Sequence, residues 1–426
     1  MKKKDKTITQ RIIYTVALIF ITRLLTSVPI LGINKEAMRT FLGETNEMYN
    51  LFNMFSGGAL ANMSMFSLSI SPYISASIIV QLLGTMSSKM ERIAQDGEAG
   101  RKRIERLTNT ISVLIAIMTS ITITKGLRSA HALPEGYIYT ITTTASLILG
   151  TVILMIIGKK ITDNGVGNGI SLILTMNILS QIPRDLFIIY HEFVLNSTLS
   201  IVSGIIVITF ILLIIFLTIR VHEVERRVPL IFSGKLKGKT FMAGETACLP
   251  IKLSPGGVTP VIFVTTIMAF PSMLNSLFNF RNQKFINYII EAFNPNNWFK
   301  INDLKLSLGF IVYATLLVAF AYMYANVAIN TKEMANTLKL QHATIPNIRQ
   351  GKETEWYLGR IIKGTTLLGA LSLLIICMIP IMLTNYIGVP VSFGGTSIII
   401  IVSVLTELAE QIRTEKEVEK NNKFSF

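Results

Sequence analysis

Four histidines (His131, His191, His222, His342) and two cysteines (Cys248, Cys377) are the residues of this 426-residue chain best suited to hold a metal or to act as base and nucleophile. Their spacing supports neither chemistry. The histidines are scattered over loops without metal-ligand spacing, and two cysteines far apart in sequence make no disulfide framework. The stretch Gly165-Val166-Gly167-Asn168-Gly169 has the glycine content of a phosphate cradle. It follows an apolar run rather than a strand, however, and lacks the Lys-Ser/Thr that reaches the phosphate and its metal. An ion-coupled carrier needs an acid or histidine at membrane depth. Away from the ends of the second to tenth apolar runs described below there is no Asp, Glu, Lys or His; Lys125, Lys305, Lys363, Glu407 and Glu410 fall near the ends of the third, eighth, ninth and tenth. The exception is Arg23 in the first run, which reads as a helix-pairing or snorkelling residue. The chain is therefore expected not to be an enzyme, with no catalytic residue, metal or cofactor.

The elements that would position any site are set by composition. Half of the residues are hydrophobic and only 15% are charged, against ~25% in an ordinary soluble protein. Yet 40 Lys and Arg face 25 Asp and Glu, a formal charge of +15. A soluble nucleic-acid binder would be rich in charge, and a disordered chain would lack this aliphatic content. A polytopic membrane protein with basic loops remains. Ten segments approach the ~20 apolar residues that cross a bilayer: 12–31, 68–86, 108–128, 137–158, 169–183, 198–219, 258–278, 305–328, 358–385 and 391–411, the fifth being short. Lys2, Lys3, Lys4 and Lys6 precede the first, but no small-residue cleavage pattern follows, so it is expected to be a retained span. With both termini inside, thirty of the 40 basic residues fall on the cytoplasmic side, as the positive-inside rule requires.

Ten spans suggest two halves of five, residues 1–183 and 184–426, running in opposite directions. Two short matches fall at the five-span offset. Pro72-Tyr73-Ile74 in span two pairs with Pro260-Val261-Ile262 in span seven. Gly169-Ile170-Ser171 leading to Leu174 in span five pairs with Gly395-Thr396-Ser397 leading to Ile400 in span ten. Together with Ile70, these residues compose an aliphatic midplane set: Ile70, Ile74, Leu174, Ile262 and Ile400. A ring of that kind blocks ions by dewetting and yields around a passing object; ordinary core packing is the bland reading of the same residues. Residues 52–66, with Ser56-Gly57-Gly58-Ala59-Leu60, are too short to cross and too apolar for an ordinary loop, so a re-entrant segment is expected. The loops 220–257 and 331–357 are longer than topology needs, and their basic residues suit an acidic docking partner as well as lipid headgroups.

Seven stretches carry a resemblance. They are Phe55 to Leu60, Pro72 to Ile79, Gly97-Glu98-Ala99-Gly100-Arg101, Gly165 to Ser171, Arg226-Arg227-Val228-Pro229, Gly257-Val258-Thr259-Pro260-Val261-Ile262-Phe263 and Gly395-Thr396-Ser397. In this order and on these spans, the chain resembles the SecY/Sec61α family of protein-translocase channel subunits along essentially its whole length. The resemblance implies an all-α polytopic membrane fold: ten transmembrane helices in two inverted five-helix halves, with a short re-entrant plug helix at about 52–66. It implies a protein-conducting channel that passes unfolded secretory polypeptides and releases membrane segments sideways into the bacterial cytoplasmic membrane.

The residues follow from the same resemblance. Ile70, Ile74, Leu174, Ile262 and Ile400 stand at pore-ring positions, and Gly57, Gly58, Ala59, Leu60, Met63 and Phe66 in the plug. Spans two and seven would form a lateral gate, with Ser75, Ser171, Thr265 and Phe270 in the gate region. Arg226, Arg227, Lys235, Lys237, Lys239, Arg349 and Lys352 would dock a SecA-like ATPase or the ribosome. SecE-like and SecG-like subunits, signal sequences and membrane lipids are the other implied partners, with no nucleic-acid site beyond ribosome docking. Asn347 and Gln350, where the family usually has Gly and Pro, and Leu107-Thr108-Asn109-Thr110 depart from the pattern and admit an accessory paralogue with fewer substrates. The competing reading is a small-molecule or lipid transporter on an inverted repeat, for which Asn177, Asn326, Asn330, Thr265 and Thr266 are the polar candidates.

Overall fold

The computed structural model describes residues 7–30, 33, 53, 55–87, 90, 93, 96–129, 131–134, 136–191, 201–232, 236–237, 240–241, 246–257, 259–278, 284–294, 298, 307–387 and 395–424. Each of the ten apolar segments coincides with a helix. In chain order these are α1 (Ile8–Thr26), α2 (Ser71–Met86), α3 (Gly97–Ser129), α4 (Tyr137–Asn164), α5 (Gly169–Leu179), α7 (Ile201–Glu223), α8 (Thr259–Phe278), α10 (Leu308–Ala328), α12 (Lys352–Ile387) and α13 (Gly395–Phe424). Short helices α6 (Ile182–Tyr190), α9 (Lys284–Phe293) and α11 (Thr331–Leu340) lie between them. Helices α1, α3, α4, α7, α12, and α10 running on into α11, are long and apolar enough to cross a bilayer. Helices α2 and α8 carry shorter apolar stretches.

Side-chain exposure explains the composition. On α7, Val202, Ile205, Ile208, Leu212 and Phe216 recur every three or four residues and are exposed, as are Ile13, Val16, Phe20 and Leu24 on α1. Bare aliphatic stripes of this length are stable against lipid and not against water. Helix starts follow local chemistry. Pro72 sits in the first turn of α2, where its missing N–H costs nothing. The Asn168 side chain caps α5 by accepting from Ile170 N at 3.2 Å, and Asn330 caps α11 from Glu333 N at 3.2 Å. The fifth segment is broken: α5 has 11 residues, about 16 Å of rise, and a turn at Ser180 and Gln181 separates it from α6.

Helices α1 to α5 pack on one another through α2–α3, α3–α4, α4–α5, α1–α4 and α1–α5. The later helices form a second group through α8–α10, α10–α12, α7–α12, α7–α13 and α12–α13. The groups meet at α5–α13, α2–α8 and α1–α13. One large apolar core, containing Ile70, Leu174, Ile214, Val261, Leu317, Leu373 and Ile400 with Phe263 and Phe320, spans both. At one end, Trp298 is fully buried beside Phe310 and Tyr313, its indole donating to Ala292 O at 2.7 Å.

The segments 220–257 and 331–357 contain β-structure that hydropathy and charge did not suggest. Strand β1 (Glu225–Phe232) pairs antiparallel with β4 (Thr246–Lys252) and with β5 (Ala343–Thr344), while β2 (Leu236–Lys237) pairs with β3 (Thr240–Phe241). The alternation in β1 turns Val228 and Leu230 inward, onto Ile251, Leu338, Ile345, Leu358 and Ile361. A two-residue side-chain period makes one face of such a strand apolar and leaves the other for charge.

Candidate functional site

Residues 55–70 enter from helical backbone at Asn53 and Phe55 and continue as a run of turns into α2. Gly57 and Gly58 take φ of 65° and 84°, a region open to glycine and strained for most side chains, so the paired glycines make the bend. Ala59, Leu60, Met63 and Phe66 are buried. Leu60, Met63 and Leu68 pack against Ile123 and Leu127 of α3 and Leu147 of α4, while Phe66 and Ile70 reach the central core. At Gly150 of α4 an added Cβ would stand 1.9 Å from Met65 O, so only glycine lets the helix pass so close. An antiparallel bridge between Pro29 and Ser64, with Ile30 N donating to Met63 O at 2.8 Å, ties the segment to the chain after α1.

The central set falls in one core. Ile70, Leu174 and Ile400 are buried, and Ile74 and Ile262 are half-buried and packed against the same cluster. Their helices are neighbours in series: α2 touches α8, α8 touches α13, and α13 touches α5. Of the gate residues, Ser75, Ser171 and Thr265 are half-buried on α2, α5 and α8. Phe270 belongs to α8, but its side chain lies outside the described residues. Thr265 and Thr266 both donate their hydroxyls to Ile262 O, at 2.9 and 2.8 Å.

A polar cluster that hydropathy did not single out lies between α1, α5 and residues 55–70. Arg23 Nη1 donates to Asn177 Oδ1 at 3.3 Å, and both Nη atoms donate to Gly57 O at 3.4 Å. Asn177 is buried and donates through Nδ2 to Phe55 O and Ser69 Oγ, at 3.1 and 3.0 Å. The available signals were the lone charge of Arg23 and the amide of Asn177.

At the other end of the helices, Arg226 and Arg227 are exposed on β1, with Arg227 Nε donating to Glu225 Oε1 at 3.0 Å. Lys237 lies in β2; Lys235 and Lys239 lie outside the described residues. Arg349 and Lys352 are exposed beside the turn containing Asn347, whose φ is 62°. Arg349 N donates to Glu353 Oε2 at 3.3 Å, and its carbonyl accepts from Thr354 Oγ1 at 2.8 Å, leaving the guanidinium facing outward. A cavity of about 610 Å³ beside this surface is lined by Asn326, Asn330, Trp356, Arg360 and Lys363. Among the described residues no cluster of His, Cys, Asp or Glu could hold a metal ion.

Comparisons with known proteins agree on the family. A SecY family model matches residues 64–409. The protein translocase subunit SecY of Aquifex aeolicus (strain VF5) is 35% identical over 418 residues, covering 96% of this chain and 94% of the relative. The protein of the same name from Escherichia coli (strain K12) is 31% identical over 417 residues, covering 95% and 91%. Among solved structures, one described as a protein conducting channel matches with a TM-score of 0.68 at 17% identity, over 98% of this chain and 95% of the other. Sec61 in a canine ribosome-channel complex from the endoplasmic reticulum matches with a TM-score of 0.65 at 16% identity, again over 98% and 95%. At these identities the structural matches speak for the fold: an all-α membrane channel architecture of ten transmembrane helices, in which the short α5, the α2 and α8 stretches and α13, charged over its C-terminal part, complete the spans. The family model and the extent of the sequence relatives together place the chain in the SecY family.

Proposed function

We infer that this chain is the pore-forming subunit of a protein-conducting channel in a membrane. The observation that carries the reading is the centre of the molecule: the aliphatic residues Ile70, Ile74, Leu174, Ile262 and Ile400 share one apolar core, and a glycine-hinged segment reaches that core through Phe66 while packing on α3 and α4 through Leu60 and Met63. A solute carrier needs polar groups aimed at a substrate; of the five candidates for that role Asn326 is exposed at the cavity beside the sheet, away from the central core, and the other four are engaged elsewhere. Thr265 and Thr266 bond back into their own helix, Asn177 holds residues 55–70, and Asn330 caps α11. An apolar constriction suits a polypeptide of any sequence, because it makes no specific bond and reseals by dewetting.

In this reading Ile70, Ile74, Leu174, Ile262 and Ile400 form the pore ring, the segment at about 52–66 is the plug, and α2 and α8 part to form the lateral gate, with Ser75, Ser171, Thr265 and Phe270 in the gate region. Residues 1–183 and 184–426 act as the two halves of the clamp, a division supported by the two packing groups of helices. The basic sheet module, with Arg226, Arg227, Lys235, Lys237, Lys239, Arg349 and Lys352, docks the ribosome or a SecA-like ATPase that supplies the driving force. SecE-like and SecG-like subunits complete the channel. The positive-inside rule puts this module and both termini on the cytoplasmic side of a bacterial cytoplasmic membrane.

Site-directed crosslinking tests the proposal. A secretory chain stalled in transit is expected to label probes at positions 74 and 262. Labelling confined to probes at lipid-facing positions such as Val16 or Leu212 would overturn it.

A further inference from the structure

Arg23 is the charged residue that the sequence places within the first span, and nothing in the channel reading uses it. It stands in the last turn of α1, where a cation complements the negative end of the helix. Helix complementarity does not require the fork of hydrogen bonds that it makes. Among the described residues no ion pair involves Arg23. Its bonds go instead to neutral oxygens, Asn177 Oδ1 and Gly57 O. Asn177 passes the connection on to Phe55 O and Ser69 Oγ, and the Ser69 hydroxyl donates to Phe55 O at 3.0 Å. Ser180 of the turn after α5 donates to Gly57 O at 3.4 Å. The two carbonyls at the entrance of residues 55–70 are thus held from α1 and α5 at once.

We propose that Arg23, Asn177 and Ser69 are positioning residues that latch the plug, and that their combined strength sets how strong a signal sequence must be to open the channel. The proposal rests on the plug reading of the segment at about 52–66, which contains Phe55 and Gly57. Two features make these contacts a latch rather than a permanent tie. The bonds to Gly57 are longer than the usual 2.7–3.2 Å, so they are weak ones. When the segment leaves, Arg23 keeps Asn177 Oδ1, so the guanidinium is not stripped of every partner in the membrane, the condition that would make release prohibitive. A buried carboxylate opposite Arg23 would have made a tighter but less reversible contact.

The test uses the whole channel with its partner subunits, reconstituted in liposomes. Resting ion leak is one readout, and export of a reporter with a weakened signal sequence is the other. Deletion of residues 59–65 serves as the reference for a channel without its plug. Arg23→Leu is expected to raise the leak about tenfold, the equilibrium equivalent of one charge-assisted hydrogen bond, and to admit the weak signal. Ser69→Ala should move both readouts in the same direction by less. Arg23→Lys, which keeps charge but not the planar fork, should fall between wild type and Arg23→Leu.

If the deletion leaks while Arg23→Leu and Ser69→Ala keep wild-type leak and signal stringency, the latch is overturned and the plug reading stands. If the deletion does not leak, the plug reading falls and the latch with it. Should Arg23→Leu fail to fold, Ser69→Ala decides, since it removes only a hydroxyl. Reduced yield in both variants without relaxed stringency would assign the cluster to folding alone and overturn the latch.

Discussion

Ile400 has no exposed surface and lies on α13 within the core that also holds Ile70 and Leu174. Placing an amide there leaves donors and acceptors without partners, at about 1–3 kcal/mol for each group, and in the proposed pore ring it would give water a foothold where sealing depends on excluding it. Ile400→Asn is therefore expected to weaken the closed state by about 2 kcal/mol. It should raise resting ion leak in liposomes and admit defective signal sequences; wild-type leak and stringency would remove Ile400 from the seal. This residue was legible in the sequence, because it sits at the same offset from Ser397 as Leu174 does from Ser171. The work done by Asn177 was not legible. Its partner Phe55 lies 122 positions away, and no local pattern announces a bond of that range. Asn347 is an intermediate case. The family's usual glycine pointed to a special backbone there, and the observed φ of 62° is one that asparagine tolerates better than most residues.

Length and charge marked two loops as a docking surface, but the element that unites them is a sheet. Ile231 of β1 pairs with Thr344 of β5, so segments more than a hundred residues apart form one module with its own apolar core. Single-sequence patterning misses such a module because β5 is only two residues long and its partner lies more than a hundred positions away. Two substitutions separate the module's fold from its surface. Arg349→Glu reverses a charge that projects outward beside an exposed turn and should cost stability less than about 0.5 kcal/mol. It is expected to weaken motor-driven export while thermal unfolding in detergent stays unchanged. Leu230→Asp buries a carboxylate among Val228, Ile251 and Leu358, and should lower export and stability together. Full export by Arg349→Glu at normal motor concentration would separate this arginine from docking. The shortness of the fifth span was legible in hydropathy, which ended it at 183, but the turn at Ser180 and Gln181 and the helix α6 beyond it were not.

Two groups of helices that meet along a few contacts can move as bodies, provided that something holds them together at one place while they part at another. At the end that carries the basic module, Arg11 of α1 is the polar tie. Its Nε and Nη2 donate to Gly165 O at 3.0 and 2.6 Å, and its Nη1 pairs with Glu415 of α13 at 2.7 Å. Thr15 Oγ1 accepts from Val166 N at 3.0 Å on the same connection. One side chain thus joins α1, the α4–α5 link and the last helix, at the end opposite Arg23 and residues 55–70. The two halves of this tie differ in strength. The Arg11–Glu415 pair is partly exposed, at 23% and 25% of the side-chain surfaces, and such pairs contribute about 0.2–1 kcal/mol. The bonds to Gly165 O are charge-assisted and close a helix-terminal carbonyl, worth about 1.5–3 kcal/mol together. Glu415→Ala is therefore expected to leave the thermal midpoint in detergent nearly unchanged. Arg11→Ala should lower it clearly, and in the double variant the loss should equal that of Arg11→Ala alone. Equal losses from the two single variants would mean that the pair across the halves dominates. The bodies would then be joined by an ion pair sensitive to salt rather than by a link anchored in the first half.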